Sequence, residues 1–269
     1  MSQPILVTGG TGTLGTHVVR LLLDAGCPVR VLSRKQHDGA SPSIEFMVGD
    51  LTTGDGVDAT VAGVETIIHC AGAAKDDDVK AASLVRAAAR AGRPHIVFIS
   101  VVGADRVPMA SAIDRALFGY FGSKLAAEKV IAASGLPFTT LRATQFHDII
   151  LLAARALTKS PVVPAMGGFR FQPVDSAEVA ARLVELALGK PQGLVDDFGG
   201  PAIYDMAELL RSYLSAAGKR RPILKVGIPG QAARAVRAGA TLAAGHAVGR
   251  RSWEDFLAAS TSSPGSAAH

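Results

Sequence analysis

The sequence predicts an α/β fold in which a doubly wound parallel sheet carries a small C-terminal lobe. Three observations lead there. Apolar strand-like runs alternate with amphipathic helical stretches through the first half of the chain. A glycine-rich turn, "VTGGTGTLG" at 7–15, joins the first such strand to the first helix. Apolar residues make up 48% and charged residues 19% of the 269 residues, which allows a sizeable core in one large domain or two small ones.

The elements follow in order. "PILVTG" (4–9) reads as a buried strand, and "TLGTHVVRLLLDAG" (13–26) has helical spacing that stops at Gly26. "PVRVLSR" (28–34) is a second strand, followed by a Gly/Ser/Pro loop and the strand "IEFMVGD" (44–50). A short helix through "GVDATVAG" precedes the strand "ETIIHCAG" (65–72). The helix "DDVKAASLVRAAARAG" (77–92) opens on acidic residues that suit the positive end of its dipole. "HIVFIS" (95–100) is the next strand, then an irregular stretch, a helix through 120–134 and the strand "LPFTTLRA" (136–143). Apolar strands separated by helices make a parallel sheet covered on both faces.

The second half is less regular. A helix near 145–157, a Pro/Gly/Phe-rich segment at 161–175, a helix from Asp175 to about Leu188, shorter elements and "SWEDFLAA" (252–259) are expected. This divides the chain into a core at 1–145, a smaller lobe of the same structural unit at 146–260, and a tail at 261–269 expected to be disordered. No internal repeat is evident.

Composition excludes several classes. No apolar run approaches the roughly 18–20 residues of a membrane span, and "PILVTGGTG" begins without a basic region or cleavage site. Cys27 and Cys70 are the two cysteines and are expected to be reduced core residues of a cytoplasmic protein. The net charge is +5, but the basic residues are scattered and not interleaved with aromatics. That pattern argues against nucleic acid and is equally met by a phosphorylated cofactor. The seven histidines are dispersed, and no metal-ligand cluster is visible.

The glycine-rich turn carries the most specific signal. Gly9, Gly12 and Gly15 stand at a G-x-x-G-x-x-G spacing directly after a strand and at the start of a helix. Glycines are needed there for the tight turn, for close approach of a pyrophosphate and for helix-to-strand packing. The helix N-terminal amides then hold the phosphate charge. Together these features mark a Rossmann-like nucleotide site. At the end of the second strand an NAD site usually places an acidic residue on the ribose 2′-hydroxyl. Here that place reads Ser33-Arg34-Lys35. Two cations attract a 2′-phosphate that a carboxylate would repel, so NADP(H) is the expected cofactor.

"GYFGSKLAAEK" (119–129) places Tyr120 and Lys124 one helical turn apart on a shared face. With "TGGTGTLG", "GDLT" (49–52), "HCAG" (69–72) and "FISVVG" (98–103), the chain resembles the short-chain dehydrogenase/reductase superfamily. "SGLPFTTLRATQFHD" (134–148), "FRFQPVD" (169–175) and "RRSWEDFL" (250–257) narrow the resemblance to its atypical, NmrA-like branch of oxidoreductases and epimerases.

The resemblance implies that Gly9, Thr11, Gly12 and Leu14, with Thr13 and Gly15 of the same turn, line the pyrophosphate. Asp50 and Leu51 would flank the adenine, and Cys70, Ala71 and Gly72 would pass beneath the adenosine ribose. Ser100 stands where standard members keep a serine that bonds the substrate oxygen, and Tyr120 and Lys124 match their Tyr-x-x-x-Lys. Thirteen residues, Val107 through Gly119, lengthen the usual serine-to-tyrosine gap, and in some relatives the lysine acts alone. A phenol of pKa about 10 is a poor acid that a nearby ammonium improves. Tyr120 would then give a proton to a carbonyl oxygen while the nicotinamide delivers hydride.

On the substrate side, Thr144, Gln145, Phe146 and His147 follow a strand end and are expected to face the nicotinamide. His147 is either a general base or a packing residue. Phe118, Met166, Phe169 and Phe171 are candidates for an apolar wall that fits a hydrophobic or aromatic carbonyl, or a quinone. An NADPH-dependent reductase of a small molecule is the leading expectation. A non-catalytic NADP(H)-sensing regulator and a nucleotide-retaining epimerase or dehydratase remain open. So does the oligomeric state, a homodimer included.

Overall fold

The computed structural model describes residues 3–37, 43–72 and 75–262. Short, β-branched runs form the central strands: β1 (Ile5–Thr8), β2 (Val29–Ser33), β3 (Ile44–Val48), β4 (Thr66–His69), β5 (His95–Val101), β6 (Phe138–Ala143) and β9 (Gly193–Leu194). They make a seven-stranded sheet in the order β3-β2-β1-β4-β5-β6-β9, with every pairing parallel. The order reverses beside β1, and in such sheets a crevice opens at the carboxyl ends of the strands where it does so.

Period-two alternation divides the core. Ile5 and Val7 of β1 face one layer, built by Leu14, Val18 and Leu22 of α1 (Thr13–Asp24) and Val179, Leu183 and Leu186 of α6 (Ser176–Leu188). Leu6, Ile67, Ile96 and Phe98 face the other, where α2 (Val57–Val61), α3 (Asp77–Arg90) and α4 (Ala112–Ala133) pack. The inner strands β1, β4 and β5 are therefore buried on both faces, as a parallel sheet between two helical layers requires.

α4 starts at Ala112, eight residues before the expected 120. The irregular stretch expected at 107–119 therefore holds two further helical turns, and this accounts for the long gap before Tyr120. A capping box sets the start: Ser111 Oγ accepts from Asp114 N–H at 3.0 Å, and Asp114 accepts from Ser111 N–H at 3.1 Å. Asp114 also accepts from Ala232 N–H at 3.0 Å, which fastens the helix start to α8 (Gln231–Arg237).

The lobe holds α5 (His147–Leu157), α7 (Met206–Ala216), α8 and α9 (Trp253–Ser262). Two small sheets join it: β7 (Val163–Met166) pairs in parallel with β11 (Ile223–Val226), and β8 (Arg170–Phe171) runs antiparallel to β10 (Tyr204–Asp205). α6 and β9 lie beyond residue 145 in the chain yet complete the central layers. α9 continues to Ser262, two residues into the expected tail; the rest of that tail, 263–269, lies outside the described residues. Among the described residues no helix is long and apolar enough to cross a membrane.

Candidate functional site

A cavity of about 800 Å³ opens at the carboxyl ends of β1, β2, β3 and β4. Gly9, Thr11 and Gly12 form one wall, Ser33, Arg34 and Lys35 a second, Asp50 and Leu51 a third, and Cys70, Ala71 and Gly72 the floor. The glycines are there for steric reasons. Gly9 has φ +71°, and a Cβ on it would lie 2.7 Å from Ala71 N. A Cβ on Gly15 would lie 2.1 Å from Gly9 O, so α1 approaches β1 only because Gly15 lacks one. Gly12 caps α1 without a side chain, and the first turn holds no carboxylate, so no side chain among the described residues caps the amides that a phosphate would use. This cradle, with Arg34 and Lys35 beside it, fits an NAD(P) dinucleotide.

The same cavity takes in residues without a motif of their own: Thr8, Leu32, His37, Gly49, Thr52 and Lys80. His37 stacks on Phe46 with centroids 4.5 Å apart, and its Nε2 lies 3.0 Å from Ser33 Oγ. Other expected cofactor residues stand apart from the lining. Leu14 is buried in the core, and Thr13 is exposed on the opening turn of α1. Thr144 Oγ1 is spent on Gln172 O at 2.5 Å, and Phe146 caps α5 and packs against the core. Cys70 is a cavity residue as well as a core neighbour; burial pushes its thiol up to about 12, against a smaller opposing pull from Lys124.

Behind the floor lies a buried polar cluster. Lys124 is 3% exposed, donates to Ile99 O at 3.2 Å and pairs with Asp77 at 3.1 Å. Its ammonium sits 4.9 Å from the Phe98 ring centre and 5.9 Å from that of Tyr120. A Cβ on Gly72 would lie 3.0 Å from Lys124 Nζ, so one backbone layer separates the ammonium from the cavity. The expected lowering of the Tyr120 pKa does not occur: although the residue is 38% exposed, partial burial, then the Asp77 carboxylate, push it up to about 12. Asp77 offsets the cation that was to do the lowering.

Ser100 is buried at the end of β5, and its Oγ has no hydrogen-bond partner among the described residues. His69 Nδ1 lies 2.6 Å from Thr8 Oγ1, and burial, then Lys124, hold its pKa down at about 3. Arg142 of β6 clamps Glu128 of α4 with bonds of 2.9 and 2.7 Å, which fixes the helix one turn beyond Lys124.

A second, apolar pocket of about 220 Å³ lies between α4, the β7–β8 segment and α8. It gathers Phe118, Met166, Phe169 and Phe171 as expected, together with Leu117, Phe121, Ile228 and Val236. Gln145 and Thr241 supply its polar atoms, joined by Gln145 Nε2 donating to Thr241 O at 3.4 Å. His147 is not part of it. Its ring is fully buried, stacked 5.0 Å from Phe256 and 5.9 Å from Trp253, with Nε2 3.1 Å from Arg251 O. Burial lowers its pKa, and the general-base reading gives way to a packing role that joins α5 to α9.

Comparison with known proteins agrees with this geometry. The protein family described as NAD(P)H-binding matches residues 9–188. The chain is 29% identical over 230 residues to an NAD(P)H azoreductase of Xenophilus azovorans, covering 83% of this chain and 77% of that one. It is 29% identical over 249 residues to a ceramide reductase of Caulobacter vibrioides, covering 84% and 74%. Its fold is similar to an NADPH-dependent quinone oxidoreductase of Escherichia coli solved with NADPH, at TM-score 0.75 and 19% identity over 95% and 99% of the two chains. A Thermus thermophilus UDP-glucose 4-epimerase solved with NAD aligns at TM-score 0.65 and 22% identity over 85% and 88%.

Proposed function

The chain belongs to the NAD(P)H-binding family, and from that premise we propose that it is an NADPH-dependent oxidoreductase of the atypical, NmrA-like short-chain type. Its substrate is a hydrophobic or aromatic carbonyl, or a quinone. The observation that carries this reading is the pairing of two cavities: a polar one with Arg34 and Lys35 at its rim, and an apolar one beside the helix of Tyr120 and Lys124.

Arg34 and Lys35 recognise the 2′-phosphate, the guanidinium by paired hydrogen bonds and the ammonium as a point charge. Gly9, Thr11 and Gly12 admit the pyrophosphate. When bound, NADPH supplies a hydride to the carbonyl carbon. Tyr120 gives its proton to the carbonyl oxygen, so that carbonyl becomes alcohol with charge balanced. Ser100, whose hydroxyl has no protein partner among the described residues, steadies the oxygen as charge develops. The aromatic and aliphatic wall of the second pocket excludes water and holds an apolar substrate. The two relatives, an azoreductase and a ceramide reductase, support a reductive role.

One observation favours a second reading. Lys124 stands behind Gly72 and is tied to Asp77, an arrangement that a non-catalytic NADP(H) sensor also tolerates. Fluorescence titration with NADPH and NADH, followed by NADPH oxidation against quinones and aromatic ketones, separates the two. The reductase reading expects NADPH to bind about tenfold or more tighter than NADH, with turnover on at least one apolar acceptor. Equal binding of NADH would remove the 2′-phosphate assignment, and tight NADPH binding with no turnover would transfer the case to the sensor.

A further inference from the structure

Asp77 is the first residue of α3 and is fully buried. Its Oδ2 lies 3.1 Å from Lys124 Nζ, and its Oδ1 lies 3.3 Å from Nζ of Lys80, a residue of the cavity wall. Its backbone N–H donates to Ser123 Oγ at 3.1 Å, so the start of α3 is tied to two successive residues of α4. Asp76, just before it, takes the left-handed conformation at φ 64°, a strain that the turn into α3 sustains to set Asp77 in place.

We propose that Asp77 is a positioning residue: it pins Lys124 and offsets its charge, so that Tyr120 stays a protonated phenol and acts as a proton donor. The consequence is directional. Reduction of a carbonyl needs an acid at the oxygen, whereas oxidation of an alcohol needs a base. A phenol next to an unpaired ammonium would ionise more readily and serve the second task. The other groups facing the pair leave this balance to Asp77. From β4 and its end come His69, held neutral by burial, and Cys70, held as a thiol. From α3 comes Lys80, which shares the carboxylate, and from α4 comes Tyr120 itself.

The catalytic meaning of the inference rests on reading Tyr120 and Lys124 as a dyad, but its test needs no substrate. The chain has three tyrosines, so phenolate absorbance with and without Tyr120→Phe isolates Tyr120. The titration would be run from about pH 9 to beyond the Tyr120 midpoint near 12, with circular dichroism following the fold. Asp77→Asn is expected to move Tyr120 ionisation down by about one pH unit or more, roughly a tenfold rise in its phenolate fraction. Asp77→Glu, which keeps the charge, is expected to stay near the parent. An unchanged Tyr120 titration in folded Asp77→Asn overturns the proposal.

Should Asp77→Asn not fold, Lys124→Met is compared with Lys124→Met/Asp77→Asn, where the buried pair is removed together. Tyr120 then ionises at lower pH in the double variant, and equal curves overturn the proposal. Failure of the reductase reading shows separately, as absent NADPH oxidation with the titration shift intact.

Discussion

The two cavities are built by different means. The nucleotide cavity is walled by the segments that follow β1, β2, β3 and β4, all within the first 80 residues, and backbone does much of the shaping: Gly9, Gly12 and Gly72 bring main chain to its surface. The apolar pocket is walled by residues from four separate stretches, from Leu117 on α4 through Gln145 and Phe171 to Thr241. The backbone-built site leaves no room for a side chain at Gly9 or Gly15 and accepts one kind of ligand. A side-chain-built site can be reshaped residue by residue without disturbing the sheet. The difference explains how one nucleotide frame serves different substrates, and it sets where each experiment should strike.

Lys124 stands between the two regions, and breaking it should have the largest effect. Lys124→Met is expected to lower turnover about 10²–10⁴-fold through loss of the proton-handling pair. Asp77 would be left buried without its main partner, at a cost of about 3–5 kcal/mol that urea unfolding would read. Lys124→Met/Asp77→Asn should recover most of that stability and none of the turnover. Turnover within threefold of the parent in Lys124→Met would mean the two regions meet without this dyad.

Sharpening the comparison on the nucleotide side calls for Arg34→Ala. Loss of a charge-assisted bond to the 2′-phosphate is expected to weaken NADPH about 10- to 100-fold. NADH binding and the KM for an apolar acceptor should stay put. An equal loss for both nucleotides would place Arg34 on the shared part of the cofactor, or on the fold.

Acid tests the buried floor that both regions share. His69 is held near pKa 3, below its ordinary 6.5, by burial and then by Lys124. The unfolded chain therefore takes up a proton near pH 6.5 that the folded chain refuses, and stability falls as pH drops through that range. The loss from His69 alone is about 2 kcal/mol at pH 5. His95 and His147, also held low by burial, act in the same sense. Urea midpoints at pH 7 and 5 read the total, and His69→Asn should shrink the difference. An equal midpoint shift in that variant would clear His69 of the effect.

The unequal construction also decides what was legible in the sequence. Gly9, Gly12, Arg34 and Lys35 announce themselves by position relative to strands, because a local turn makes the site, whereas Asp50 and Gly72 come only through the family resemblance. Lys80 and His37 reach the same cavity with no spacing rule to mark them. The early start of α4 was hidden because Gly119 and Gly122 interrupt its helical pattern, while Asp114 in place of the usual Glu weakened the capping signature. Asp77 was read as a favourable charge at a helix start. Only tertiary packing sets it against Lys124, and burial of Tyr120, then this carboxylate, reverse the expected direction of the Tyr120 shift. His147 looked like a base because it follows a strand end, but the aromatic stack that buries it comes from residues more than a hundred positions away.

The smallest effect is the most discriminating for the apolar pocket. Phe169 is 2% exposed and belongs to a core cluster, so Phe169→Ala would cost about 3–5 kcal/mol and confound binding with folding. Leu117 lines the same pocket yet is 57% exposed. Leu117→Ala should leave stability within about 0.5 kcal/mol. If an apolar substrate covers that side chain, the lost contact is worth about 1 kcal/mol, or a rise in KM of about three- to tenfold. kcat and NADPH affinity should not move, because the nucleotide cavity shares no lining residue with this pocket among the described residues. An unchanged KM across acceptors of increasing apolar size would detach the pocket from substrate binding. The comparison would then reduce to one functional cavity and one packing defect, and the acceptor would have to enter over the exposed face of Tyr120 instead.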